Sequence, residues 1–204
     1  MNICEAHVAI LSFTAMTKKE LRRIYREKRN NISPAERNKF DDLLLIQFQK
    51  AQLPFITSLL SYWPIEENKE PNTHLFTDFL EFTNPELLIA YPKADFATSK
   101  MVAVVTNAET DFIKNEHNIH EPGDGYIMRP EEIDMILVPL LTYDKEGYRV
   151  GYGKGFYDRY LNNCKKDCIK VGFSYFEPVD SITDKGQFDV PLDLCITPQT
   201  VYVF

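Results

Sequence analysis

Ten residues near the last third of the chain combine the groups that hold a phosphate: Arg149-Val-Gly-Tyr-Gly-Lys-Gly-Phe-Tyr-Asp158. Three glycines alternate with larger residues, a lysine lies between two of them, and an arginine and an aspartate bracket the set. Upstream is an apolar run, Ile133 to Leu141, broken only by Asp134 and Pro139, followed by the polar stretch to Gly147. The order reads as buried strand, loop, glycine turn, helix. That arrangement presents bare backbone N–H groups to an anion. Two unpaired cations against bare backbone would cost on the order of several kcal/mol, and a phosphate would satisfy both. Asp158 beside a phosphate would repel it unless a cation lay between, which points to Mg²⁺ held by one or two carboxylates and phosphate oxygens. Asp189, in the turn Asp189-Val-Pro-Leu-Asp193, is the candidate second acid.

Two well-known nucleotide loops are excluded by spacing. A P-loop requires G-x-x-x-x-G-K-[ST], but Gly155 follows Lys154 and Tyr148 stands where the first glycine belongs. A dinucleotide fingerprint requires G-x-G-x-x-G, and here the glycines fall at 151, 153 and 155. A tight strand-to-helix turn would account for the glycines, but not for Arg149 and Lys154.

The chain's net charge of −7 is unevenly spread: residues 17–40 hold nine basic and three acidic residues, a balance of +6 that leaves −13 elsewhere. A concentrated positive segment on an acidic protein suits a localised anionic ligand better than a nucleic-acid coat. Thr17-Lys-Lys-Glu20 is a capping box, and the helix it opens buries Leu21, Ile24 and Tyr25 while Lys18, Arg22, Arg26 and Arg29 line a neighbouring face. Such a stripe is commonly a solvated face; the excess of like charges here suggests an anionic visitor. Ser33-Pro34-Ala-Glu36 opens a second helix that runs to about residue 50.

Buried strands are expected over Phe55–Trp63, Leu87–Tyr91, Met101–Val105, Ile133–Leu141, Ile169–Phe176, Leu192–Thr197 and Val201–Phe204, with a short helix capped by Thr73. Thr106 to Pro130 shows no clear periodicity. Strands alternating with helices imply an α/β fold with a mainly parallel sheet covered on both faces. In such sheets ligands sit beyond the carboxyl ends of the strands, so Trp63-Pro64, Tyr91-Pro-Lys93, Pro139 to Asp158 and Phe176-Glu177 should meet in one cleft. One domain, residues 16–204, is expected, with residues 1–15 a disordered extension or a misassigned start ahead of Met16. No secretory or membrane-spanning segment is apparent, so a cytoplasmic protein is expected. Cysteines 4, 164, 168 and 195 lack a CxxC pair, and the histidines lack metal spacing, so reduced thiols and no structural zinc are expected.

At the glycine block the chain resembles the 5-formyltetrahydrofolate cyclo-ligases (5,10-methenyltetrahydrofolate synthetases), whose pattern is R-x-G-x-G-x-G-[YF]-Y-D. From Thr17 onward further matches stand in the family's order: Lys18 to Arg22, Glu70-Pro-Asn-Thr73, Pro92-Lys93, Glu121-Pro122 and Asp189 to Asp193. The resemblance implies a Rossmann-like three-layer α/β/α sandwich with a mainly parallel, mixed-edge sheet. It implies ATP- and Mg²⁺-dependent conversion of 5-formyltetrahydrofolate to 5,10-methenyltetrahydrofolate, ADP and phosphate through a phosphorylated formyl intermediate. A monomer is expected, with no nucleic-acid or membrane partner. In that reading Lys18, Lys19, Arg22, Arg149, Gly151, Gly153, Lys154, Gly155 and Tyr157 bind ATP, with Lys154 and Arg149 catalytic. Asp158 and Asp189 carry Mg²⁺, and Glu70, Phe156 and Tyr157 meet the folate, Glu66 and Glu67 being rivals for Glu70. Two departures are Phe156, which lacks a hydroxyl, and His117, which stands where some members carry a bulky aromatic. The alternatives are an ATP-dependent ligase or kinase acting on another small molecule, and an RNA-binding accessory protein using the basic segment.

Overall fold

The computed structural model describes residues 15–204; the expectation for residues 1–15 falls, Ala15 apart, outside them. Both capping boxes form. Thr17 and Glu20 close one at the start of α1 (Lys18–Asn30), and Ser33 and Glu36 the other at the start of α2 (Pro34–Lys50). There follow β1 (Ser58–Leu60), α3 (His74–Thr83), β2 (Leu88–Asp95), β3 (Lys100–Val105), β4 (Phe112–Lys114), β5 (His120–Pro122) and β6 (Ile127–Met128). The remainder comprises β7 (Met135–Val138), β8 (Thr142–Tyr143), β9 (Arg149–Val150), α4 (Phe156–Leu161), β10 (Ile169–Phe173), β11 (Leu194–Ile196) and β12 (Val201–Val203).

Eight strands form one sheet in the order β12-β11-β10-β7-β1-β2-β3-β6. The five central strands, β11 to β2, are parallel, and β12, β3 and β6 close the edges antiparallel. Because side chains alternate across a strand, neighbours serve opposite cores. Leu59 and Leu137 face α2 and α3 beside Phe48 and Phe76, whereas Leu60, Ile136 and Val138 face α4 beside Tyr160 and Leu161. A third cluster seats α1, through Leu21 and Tyr25, on Leu141, just before β8, and on Val150 of β9. The layers are therefore helix, sheet, helix, with α1 laid across the end of the sheet where the glycine loop emerges.

Four local expectations change. The strand foreseen over residues 55–63 is only Ser58–Leu60. Its start is set by the Asp134 carboxylate, which accepts from the N–H groups of Thr57 and Ser58 at 2.7 and 3.1 Å. Strand β2 runs on through Pro92 because β1 has already left that side at the Leu60–Ala90 pair, and a ring without an N–H is tolerated on an edge. Thr73 does not cap α3: its hydroxyl donates to Tyr62 O at 2.6 Å and ties the 62–73 loop to itself. The unpatterned stretch after Thr106 contains the small β4–β5 hairpin and β6.

Candidate active site

Beyond the carboxyl ends of β1, β2 and β7 lies a cavity of about 370 Å³, within the range of roughly 300–1,000 Å³ usual for small-molecule sites. One side is the glycine loop, Gly151 to Gly155, with Lys18 and Arg22 of α1; the other is apolar and aromatic, with Trp63, Phe96, Met101 and Phe156, and Glu70 lines the same space. Trp63 and Pro92 converge there as expected. Phe176 does not; its ring packs edge-on against Tyr25, 5.4 Å between centroids, behind α1.

The loop owes its shape to two glycines with positive φ, Gly153 at +94° and Gly155 at +70°. At Gly153 a Cβ would stand 3.2 Å from Arg22 Cζ, so this glycine also admits the guanidinium. Arg22 Nε in turn donates to Gly151 O at 2.9 Å. The basic stripe of α1 thus faces the loop, apart from its last member. Arg26 lies 5.7 Å over the Tyr152 ring, and Arg29 is 2 % exposed, donating to Leu140 O at 2.6 Å and to Tyr152 Oη at 3.2 Å. Lys19 points away from the cavity, into a shallow outer groove with Arg23 and Arg26.

Contrary to the expectation from sequence, Arg149 does not need a phosphate to be satisfied. Its buried guanidinium donates from Nη2 to Asp158 Oδ1 at 2.7 Å and from Nη1 to Val190 O at 2.5 Å. Burial pulls its pKa down and the Asp158 carboxylate opposes that pull. Lys18 likewise forms an ion pair with Asp189. Partial burial pushes the Asp189 carboxyl up, but Lys18 and the Gly186 N–H outweigh it and hold the group below its ordinary range. Lys154 is exposed at the mouth, and its ammonium makes no ion pair or hydrogen bond among the described residues.

Both candidate metal acids are thus partnered by cations. Asp158 engages Oδ1 with Arg149 and the Val190 N–H, and Asp189 engages Oδ2 with Lys18 and the Gly186 N–H. The second oxygen of each accepts no hydrogen bond from the described residues, among which no cluster of three or more His, Cys, Asp or Glu side chains could cage an ion. That donor set fits a Mg²⁺ arriving with phosphate oxygens rather than one enclosed by protein.

On the folate side expected from the sequence, Glu70 lines the cavity, whereas Glu66 pairs with Arg37 and Glu67 with Lys114 outside it. Glu70 is 2 % exposed; its Oε2 accepts from the Ile65 N–H at 2.7 Å and its Oε1 from the Tyr152 hydroxyl. Burial pushes its carboxyl pKa up against the pull of those donors and of Arg29. Phe156 meets Phe96 edge-on at 5.1 Å, and His117 lies 3.9 Å from Phe96, so the tip of the β2–β3 hairpin, the tip of the β4–β5 hairpin and α4 join over the aromatic side. The Tyr157 hydroxyl is buried beside the cavity with no partner among the described residues. Trp63 was expected in the cleft only as a strand-end residue, and Tyr152 and Phe96 were not singled out from sequence as site residues. Of these two, Tyr152 alone carried a signal, as the aromatic between the first two glycines.

The chain is similar to known proteins over most of its length. The family model described as the 5-formyltetrahydrofolate cyclo-ligase family matches residues 14–198. The chain is 32% identical over 188 residues to a protein named 5-formyltetrahydrofolate cyclo-ligase from Mycoplasma pneumoniae, covering 90% of this chain and 100% of that one. The solved 5,10-methenyltetrahydrofolate synthetase of Aquifex aeolicus is similar with a TM-score of 0.75 and 30% identity, over 92% of this chain and 93% of that one. A synthetase structure from Mycoplasma pneumoniae gives a TM-score of 0.67 at 25% identity, over 90% and 99%.

Proposed function

The chain belongs to the 5-formyltetrahydrofolate cyclo-ligase family, and from that premise we propose that it converts 5-formyltetrahydrofolate to 5,10-methenyltetrahydrofolate with ATP as the phosphoryl donor. The observation that carries the reading is a single cavity joining a cationic glycine loop to an aromatic side with a buried glutamate. An N-formyl group is a poor electrophile. Its oxygen attacks the γ-phosphorus and ADP departs, which turns that oxygen into part of a leaving group. N10 of the same molecule then attacks the formyl carbon and loses its proton; inorganic phosphate leaves with the former formyl oxygen, and the five-membered ring is closed. Because N10 is already tethered, ring closure gains the effective molarity of an intramolecular reaction.

The protein's part is positioning and charge stabilisation. The N–H groups of residues 151–155, with Arg22 and Lys18, are suited to a triphosphate, and Lys154 to charge on the moving phosphoryl group. Arg149 acts here by holding Asp158 and the loop. Asp158 and Asp189 would hold Mg²⁺, whose charge would be shared with phosphoryl oxygens when it is bound. Phe156 and Trp63 offer faces to the pterin, and Glu70 an acceptor for its N–H edge. Incubation with ATP, Mg²⁺ and 5-formyltetrahydrofolate should produce the near-UV absorbance of the methenyl product together with stoichiometric ADP. Nucleotide binding without that product would favour a ligase or kinase acting on another small molecule.

A further inference from the structure

The two halves of the cavity are linked by a hydrogen-bond chain that the chemical steps do not use. Tyr152 belongs by its backbone to the glycine loop, yet its hydroxyl leaves the loop, donating to Glu70 Oε1 and accepting from Arg29 Nη1 at 3.2 Å. Both ends are buried, each 2 % exposed, so the chain runs in a medium where hydrogen bonds are strong and a lost partner is costly. Arg29 is anchored to Leu140 O at 2.6 Å, and Glu70 to the Ile65 N–H at 2.7 Å. The aim of the Glu70 carboxylate is therefore set by two donors, one from its own loop and one from the phosphate loop. Any change in the position of residues 151–153 on binding a polyphosphate moves one of them.

We propose that Tyr152 is a positioning residue coupling the nucleotide and folate half-sites through the Arg29–Tyr152–Glu70 chain, so that each ligand tightens the binding of the other. This rests on the cyclo-ligase reading. Coupling between sites is reciprocal and commonly amounts to about 5- to 150-fold in affinity. Direct contact between two ligands sharing a cavity would also couple them, but would not require the phenol hydroxyl.

Tyr152→Phe retains the ring, and with it the face under Arg26, and deletes only the hydroxyl. Calorimetric titration of 5-formyltetrahydrofolate into the full chain, with and without a β,γ-methylene ATP analogue that cannot transfer its phosphoryl group, measures the coupling. The wild type should bind folate at least about fivefold more tightly with the analogue present, and Tyr152→Phe should lose that gain while still binding each ligand alone. Arg26→Gln, which removes only the guanidinium over the ring, should keep it. Undiminished coupling in Tyr152→Phe, equal loss in Arg26→Gln, or no coupling in the wild type overturns the proposal. A wild type that binds no folate overturns the cyclo-ligase reading along with it.

Discussion

Lys154 of the glycine loop and Asp158, four residues on in the first turn of α4, are held in opposite ways. Lys154 is exposed with its ammonium unengaged among the described residues, whereas Asp158 is the counterion of a guanidinium whose side chain is 5 % exposed. Truncating the first should therefore separate function from stability. Lys154→Ala is expected to lower kcat by about 100-fold or more, the scale of losing one pre-placed electrostatic group, with a thermal midpoint unchanged from wild type. Near-normal turnover would remove the lysine from the chemistry. Asp158→Asn should act on both properties. It weakens the partner of a buried arginine, costing about 1–3 kcal/mol since Asp158 is itself partly exposed, and it should move the Mg²⁺ titration of activity to higher concentration. A lowered stability with an unchanged metal titration would leave Asp158 a purely structural counterion.

At the level of elements, α1 turns a sequence stripe into one wall of the site: Arg22 meets the loop where Gly153 leaves room for it, and Arg29 is buried against the strand end. Gly153→Ala would place a Cβ in a φ of +94° and 3.2 Å from Arg22 Cζ. It should raise the KM for ATP severalfold and destabilise by about 1–3 kcal/mol, measurable by steady-state kinetics and urea unfolding. Gly151→Ala, at φ within the ordinary range and with only Pro139 O at 3.9 Å, should be far milder. What could be read in advance follows the range of the interaction concerned. The capping boxes at Thr17 and Ser33 are decided by residues three apart, and the glycine loop by ten consecutive residues, so both were legible. The extent of β1 was not, because the Asp134 carboxylate sets its start and the last pair with Ala90 its end, and neither is encoded in the apolar run. The three-residue strands β4 and β5 have half-exposed faces and give no alternation. In the site, residue types were legible but pairings were not: Arg149 could be seen to need an anion, not that Asp158 already supplied it, and Tyr152 meets Glu70 across 82 positions.

The molecule as a whole separates its scaffold from its chemistry along the strands. The cavity lies beyond the carboxyl ends of β1 and β7, while Asp134 sits just before the start of β7. Its Oδ2 accepts from Thr57 N–H and Oγ1 and from Ser58 N–H, and its Oδ1 from Lys165 Nζ at 2.5 Å. Desolvation pushes the Asp134 carboxyl up, but Lys165 and the Thr57 donors outweigh it and hold the pKa well below the usual range. A carboxylate whose pKa is depressed on folding contributes stability that is complete well above its unfolded value, about 3.9, and is lost as pH falls through that value towards the folded one. Asp134→Asn removes the charge-assisted part of this network and should cost about 1.5–3 kcal/mol at pH 7 by denaturant unfolding. The gap from wild type should narrow as pH falls below about 4, because the wild-type carboxylate then loses the same charge. A gap that stays constant across that range would mean that packing at the strand ends, rather than ionisation, carries the effect. Since Asp134 is at the opposite end of β7 from the glycine loop, kcat at neutral pH and moderate temperature should match wild type even while the unfolding midpoint drops.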